Sequence, residues 1–173
     1  MDVLLIVDMQ EGMRRSAAKH DLEGVIDRIN GVAARVRDRG GRVVLIQHAG
    51  SDGDDFVPQS SGWHFLEGLR VNAQDIVISK TLNDPFAGST LAETLDALGA
   101  SRLLIGGWAT DFCVDACVRS AVAYGRPVIA VSDGHTLSDR PHLTAEQVIE
   151  HHNWVWSGLI APHGVQVMPA REL

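Results

Sequence analysis

The sequence predicts a three-layer, Rossmann-like α/β fold in which a six-stranded, mainly parallel sheet is flanked by helices. Short apolar runs alternate with amphipathic segments along the chain, which is the pattern of strand–helix–strand units. The length of 173 residues, of which 45% are apolar, fits a single domain over residues 1–173 with one sizeable core.

Six strands are predicted where mostly apolar residues follow one another over four to six positions. Runs without alternating polar residues are typical of parallel strands covered on both faces. The predicted strands are Val3 to Val7, Arg42 to Gln47, Asp75 to Ser79, Arg102 to Ile105, Pro127 to Ser132 and Val165 to Met168.

Four helices are predicted between these strands from apolar residues at helical spacing. Two of them begin with capping-box spacing, in which Thr90 is followed by Glu93 and Thr144 by Gln147. The predicted helices run from Leu22 to the glycines after Arg39, from about Ser89 to Gly99, from about Phe112 to before Gly125, and from Thr144 to about Leu159.

The segment from His48 to Gly62 is too polar and too rich in Gly, Ser and Asp to form a helix or strand. Long loops in compact domains are often functional. We therefore expect this loop to border the site.

The charge of the chain argues against several classes of partner. The net charge is −7 and no basic run is present, so nucleic acid is not expected to bind. No segment reaches the ~20 apolar residues of a membrane span, and the N-terminus lacks the features of a signal peptide. A cytoplasmic protein that binds a small molecule is therefore expected.

Three polar residues follow strands of the predicted sheet. Asp8 ends the first strand, Lys80 ends the third and Cys113 follows the fourth. Ligands of open α/β sheets bind at the carboxyl ends of the strands, so the three side chains are expected to face one crevice.

These three groups complement one another chemically. A thiol with its ordinary pKa near 8.5 is mostly protonated at neutral pH, and a helix N-terminus would lower that pKa for Cys113. Asp8 can accept the thiol proton, and Lys80 can orient Asp8 and favour both anions. Taken singly, each residue has a structural explanation in core packing, capping or solvation. Cys117, one turn further on, is expected to be a packing residue.

Three segments resemble the signatures of the isochorismatase-like cysteine hydrolases, a family that includes nicotinamidases and other small amidases. They are "IVDMQ" from Ile6, "KTLNDPFAGSTL" from Lys80, and "GGWATDFCVDACVRSAVAYG" from Gly106. The likeness spans nearly the whole domain.

The resemblance implies a catalytic triad of Asp8, Lys80 and Cys113. It also implies a non-proline cis peptide between Trp108 and Ala109, and an oxyanion hole formed by the amides of Ala109 and Cys113. Relatives are commonly oligomeric, so a homodimer or a higher homo-oligomer is expected.

The chain departs from the family where nicotinamidases carry a metal motif of the form Asp-x-His. The corresponding stretch reads "QHAGSDGDD", in which His48 and Asp52 do not have that spacing. We therefore expect no catalytic metal, no other cofactor and a substrate other than nicotinamide.

The substrate pocket is expected to be lined by residues near the three strand ends. Its aromatic side chains would suit a small, flat or apolar substrate. The predicted pocket residues are Gln10, His48, Trp63, Phe86, Trp108, Phe112 and His135. Trp154 and Trp156 are expected to pack in the core or in a subunit contact.

Three functions remain open at the level of sequence. The first is hydrolysis of an amide-type carbon–nitrogen bond through a thioester on Cys113. The second is cleavage of a vinyl ether with Asp8 as general acid, which needs no nucleophile. The third is a catalytically silent binding protein of the same fold, although the turn after the first strand has no glycine-rich phosphate motif.

Overall fold

The computed structural model describes all residues from Met1 to Leu173. Its centre is a six-stranded sheet with the strand order β3-β2-β1-β4-β5-β6. Every neighbouring pair of strands is parallel, so the predicted α/β architecture is confirmed and the sheet is wholly parallel. The strands are β1 (Asp2–Val7), β2 (Arg42–His48), β3 (Ile76–Lys80), β4 (Arg102–Trp108), β5 (Val128–Thr136) and β6 (Val165–Met168).

Helices cover both faces of the sheet. They are α1 (Leu22–Asp38), α2 (Leu91–Ala97), α3 (Asp115–Ala123) and α4 (Ala145–Ser157), with short 3-10 turns at Glu11–Arg15 and Ala170–Glu172. None of these helices combines the length and the apolar character that crossing a bilayer requires.

The core is divided between the two faces. On β1, Val3, Leu5 and Val7 belong to a cluster of 20 buried residues that also contains apolar residues of α2, α3 and α4. The alternate residues Leu4 and Ile6 belong to a second cluster, of 17 buried residues, with those of α1. Since both faces of the strand are buried, its sequence is apolar without alternation.

The predicted capping boxes have different outcomes. Thr144 accepts a hydrogen bond from the Gln147 amide and the Gln147 side chain returns one, so the box at α4 is confirmed. The box at Thr90 is wrong, because Thr90 has φ −91° and ψ 14° rather than the extended conformation of an N-cap residue. There the Oγ of Ser89 accepts from the Leu91 amide instead.

The predicted third helix does not begin as an α-helix. Residues Thr110–Val114 form a π-helical turn, and α3 continues from Asp115. The strand before it is also longer than predicted, because β4 runs on to Trp108.

The end of β4 depends on glycine. Gly107 lies beside Val7 of β1 with φ 131°, and a Cβ atom there would lie 2.1 Å from the Val7 carbonyl oxygen. A larger residue would push β4 away from β1. Glycine at this position therefore lets the segment that carries Cys113 run close to the end of β1.

Candidate active site

The carboxyl ends of β1, β3 and β4 meet where the strand order reverses, between β1 and β4. Asp8 directly follows β1 and has a left-handed φ of 51°. Lys80 is the last residue of β3, and Cys113 lies in the π-helical turn after β4. The parallel sheet therefore brings together three residues that are 72 and 33 positions apart along the chain.

Lys80 connects the other two residues. Its Nζ lies 2.6 Å from Asp8 Oδ2 and donates a hydrogen bond to Cys113 Sγ at 3.3 Å. A third hydrogen bond, of 3.1 Å, goes to the carbonyl oxygen of Leu82. An ammonium group has three N–H donors, so this buried group is fully satisfied.

The second carboxylate oxygen of Asp8 has no hydrogen-bond partner. Asp8 is 1% exposed, and its Oδ1 atom is buried without any partner. Because Asp8 also borders the cavity described below, this oxygen is free to accept a proton.

Burial shifts the pKa of each group, and the neighbouring charges modify the shift. Burial raises the pKa of Asp8 even though Lys80 opposes the shift. Burial alone would lower the pKa of Lys80, but Asp8 and the Cys113 thiol raise it, so the ammonium form is favoured. Asp8 is thus a stronger base than an exposed carboxylate.

The expected lowering of the pKa of Cys113 is wrong. Burial, reinforced by the negative charge of Asp8, raises the pKa of this thiol to about 12, although Lys80 acts in the opposite direction. Desolvation of the thiolate is the largest cause of this shift. The neutral form of the Cys113 thiol is therefore favoured in the free protein.

A cavity of about 250 Å³ opens onto this group. Six of its lining residues were predicted for the site, and the π-helical turn supplies two of them. The six are Asp8, His48, Trp108, Ala109, Phe112 and Cys113. The peptide bond between Trp108 and Ala109 is cis.

Four residues predicted for the pocket do not line this cavity, and two of them support loops. Gln10 is fully buried and holds two segments together, because its Nε2 donates to the carbonyl oxygens of His48 and Trp63. Trp63 is tied into that arrangement through the same carbonyl, which also accepts from Gln47.

The other two belong to the interior. Phe86 is buried and its ring stacks on that of Tyr124 with centroids 5.0 Å apart. His135 is a predicted pocket residue because it follows a predicted strand that ends at Ser132. In the structure β5 continues to Thr136, and the 1% exposed His135 pairs in register with Gly107, behind the cavity wall.

Four lining residues were missed: Asp54, Phe56, Asn83 and Arg140. Asp54 and Phe56 lie in the loop that was expected to border the site. Asn83 follows Lys80 by three residues, and its Oδ1 lies 3.6 Å from Cys113 Sγ.

Arg140 reaches the cavity through contacts distant in sequence. It forms a two-pronged ion pair with Asp111, with N–O distances of 2.6 and 2.7 Å. Its guanidinium also lies 5.4 Å from the centroid of the Phe112 ring. Neither contact has a signal in the local sequence.

No group of three or more His, Cys, Asp or Glu side chains is arranged to hold a metal ion. His48 is the histidine that lines the cavity. Burial lowers its pKa, and the positive charge of Lys80 adds to that effect.

The fold and these contacts define a class of protein: a parallel α/β domain with an acid, an ammonium and a thiol gathered at the switch point of its sheet. Residues 2–158 match the isochorismatase domain family, so the chain belongs to the isochorismatase family.

Known proteins similar to this chain include a streptothricin hydrolase from Streptomyces noursei, which is 33% identical over 142 residues. The match covers 82% of this chain and 51% of that protein, so the chain spans about half the length of this relative. A second streptothricin hydrolase from the same organism is covered to 56% of its length at 29% identity.

Solved structures of the family superimpose closely. One isochorismatase family protein has a TM-score of 0.88 at 27% identity, over 96% of this chain and 97% of the other. An isochorismatase from Pseudomonas putida KT2440 has a TM-score of 0.91 at 25% identity, over 99% and 89% of the two chains.

Proposed function

We propose that the protein is a cysteine-dependent hydrolase that cleaves an amide-type carbon–nitrogen bond of a small molecule through a thioester intermediate. One observation supports this most strongly. Lys80 contacts both Asp8 and Cys113 Sγ, while Asp8 retains an unpartnered buried oxygen beside the cavity. The name of the similar streptothricin hydrolases is compatible with a small-molecule substrate.

The first half of the reaction forms the thioester. Asp8 takes the proton of Cys113, and Sγ attacks the substrate carbonyl carbon. The carbonyl oxygen becomes negative and accepts hydrogen bonds from the amides of Ala109 and Cys113. Collapse of this intermediate breaks the carbon–nitrogen bond, and the leaving nitrogen takes the proton back from Asp8.

The second half regenerates the enzyme. Asp8 removes a proton from water, the resulting hydroxide attacks the thioester carbon, and the carbon–sulfur bond breaks. Cys113 leaves as a thiolate and is reprotonated by Asp8, while the substrate acyl group departs as a carboxylic acid.

The high pKa of the thiol determines when its proton moves. With a pKa of about 12 for this thiol, very little thiolate is present at pH 7 before the substrate binds. Proton transfer to Asp8 therefore accompanies the attack. Lys80 stabilises whichever of its two partners carries the negative charge.

The amide of Ala109 is suited to the role of oxyanion donor. It borders the cavity and makes none of the hydrogen bonds that the loops and side chains form within the chain. A substrate carbonyl oxygen is then the acceptor that this N–H lacks.

The test is a screen of small amides, ureides and cyclic imides against the wild type and Cys113→Ala. Turnover should be lost in this variant, with the free energy of unfolding close to that of the wild type. The matched control is Cys117→Ala, because Cys117 is fully buried outside the cavity, and this variant should keep its turnover. Normal turnover by Cys113→Ala would refute the nucleophile and favour acid catalysis by Asp8 alone.

We further propose that the chain acts as a homodimer or a larger homo-oligomer. Trp156 is fully buried in the core, whereas Trp154, on the same helix, is 73% exposed. A large apolar side chain of this kind is favourable to bury in a subunit contact. Sedimentation velocity should give at least twice the mass of one chain, and a monomer at all concentrations would contradict the proposal.

A further inference from the structure

A buried chain of three hydrogen-bonded side chains lies behind the π-helical turn. Thr110 Oγ1 lies 2.9 Å from His135 Nδ1, and His135 Nε2 lies 3.1 Å from Asn153 Oδ1. Thr110 is fully buried and His135 is 1% exposed. These hydrogen bonds thus connect α4 to Thr110, which lies between Ala109 and Cys113 in the sequence.

The donor and the acceptor of each hydrogen bond follow from the contact between Asn153 and the backbone of Ser132. Asn153 Nδ2 donates to the carbonyl oxygen of Ser132 at 2.9 Å, which fixes the amide group with Oδ1 towards the imidazole. His135 must therefore donate from Nε2. Its Nδ1 then has only a lone pair and accepts the hydroxyl proton of Thr110.

The imidazole is suited to remain in this form. Burial lowers the pKa of His135 to about 4, although the bond to Asn153 opposes the shift. The ring packs edge-on against the indole of Trp156, with centroids 5.0 Å apart. His135 is therefore neutral at physiological pH, and its two ring nitrogens keep distinct roles.

A second contact fixes the other end of the same turn to α4. Trp156 Nε1 donates to Asp115 Oδ1 at 2.8 Å, and Asp115 is the first residue of α3. Helix α4 thereby holds the segment 110–115 at both of its ends.

We propose that His135 and Asn153 are positioning residues for the hydrolysis: by accepting the Thr110 hydroxyl, His135 fixes the turn that presents the Ala109 amide and Cys113 to the substrate carbonyl. This inference rests on the proposed function. It assigns His135 to the support of the oxyanion site rather than to the substrate pocket. A small displacement of such donors lowers the rate of the chemical step more than it weakens substrate binding.

Two pairs of variants separate the hydrogen bond from the bulk of the side chains. Thr110→Val keeps the branched shape and removes the hydroxyl, whereas Thr110→Ser keeps the hydroxyl. His135→Asn places an amide oxygen near the position of Nδ1 and can still accept from Thr110. His135→Gln can reach Asn153 but offers Thr110 no acceptor at that position.

The experiment measures kcat and KM with the best amide from the screen, together with urea unfolding of each variant. Thr110→Val and His135→Gln should lower kcat by about 10- to 100-fold with little change in KM. Thr110→Ser and His135→Asn should recover most of kcat. The double variant Thr110→Val/His135→Gln should be no slower than the slower single variant, because both remove the same bond.

Three results would count against the inference or its basis. If kcat of Thr110→Val and His135→Gln stays within about twofold of the wild type while Cys113→Ala is inactive, the positioning role is wrong and the proposed function stands. Reduced stability with unchanged kcat would likewise leave only a structural role. Turnover by Cys113→Ala would instead overturn the proposed function.

Discussion

Replacement of Lys80 by methionine tests the charge arrangement of the site. The Lys80 and Asp8 side chains are 0% and 1% exposed and their charged atoms lie 2.6 Å apart. Methionine has a similar length but leaves the Asp8 carboxylate buried without a cation. Removing one partner of a buried ion pair typically costs about 3–5 kcal/mol, a large share of the roughly 5–15 kcal/mol stability of a domain.

The loss of stability in Lys80→Met should become larger as the pH rises. Burial already raises the pKa of Asp8, and removing Lys80 removes the main opposing effect. The folded state of Lys80→Met then holds a proton on Asp8 at pH values where the unfolded chain has released it. Between the unfolded and folded pKa values, the free energy of unfolding should fall by about 1.4 kcal/mol per pH unit as pH rises.

Urea unfolding of the wild type, Lys80→Met and Asp8→Asn/Lys80→Met at pH 5 and pH 8 measures these effects. Lys80→Met should be much less stable than the wild type at pH 8. The difference in stability between the two proteins should be smaller at pH 5. The double variant, which buries no charge at either position, should recover stability at pH 8. A loss that is equal at both pH values, or no recovery in the double variant, would refute the reasoning.

Two further predictions concern protonation. Asp8→Asn should lower the pKa of the Cys113 thiol, because it removes a negative charge that adds to the effect of burial, and should nevertheless abolish turnover. The pH midpoint of iodoacetamide alkylation in a Cys117→Ala background measures this, and a raised or unchanged midpoint would contradict it. In the wild type, kcat/KM should fall with acid as Asp8 becomes protonated, with a midpoint above the ordinary Asp value of 3.8 because burial raises the pKa of Asp8. A midpoint at or below that value would show that another group controls the acid limb.

The strand-end rule accounts for most of what could be predicted from the sequence. Asp8, Lys80 and Cys113 follow apolar runs whose order and length predict a parallel sheet, and ligand sites of such sheets lie at those ends. The rule needs only the approximate end of each strand. It therefore tolerated the errors of one to three residues at the ends of β2, β3 and β4.

An error at the end of a strand does, however, change the predicted direction of the side chains that follow it. His135 was expected in the pocket because β5 was predicted to end at Ser132, whereas four more residues of strand place it behind the cavity. The β4–β5 pairing has an irregularity between Ile105 and Gly107, and local patterns do not reveal such a shift of register.

Interactions between charged residues that are distant along the chain could not be predicted from the sequence either. The pair of Arg140 and Asp111 joins residues 29 positions apart, and no spacing rule predicts it. The sign of the Cys113 shift depends on how much burial outweighs Lys80, which requires the three-dimensional arrangement.

The most direct measurement of the central claim is the intact mass of the protein during turnover of a slowly hydrolysed amide or ester. The proposed mechanism predicts a transient mass increase equal to the acyl part of the substrate, located by peptide mapping on Cys113 and absent from Cys113→Ala. Product formation by Cys113→Ala at the wild-type rate, with no acyl group on the wild-type protein, would contradict the thioester mechanism.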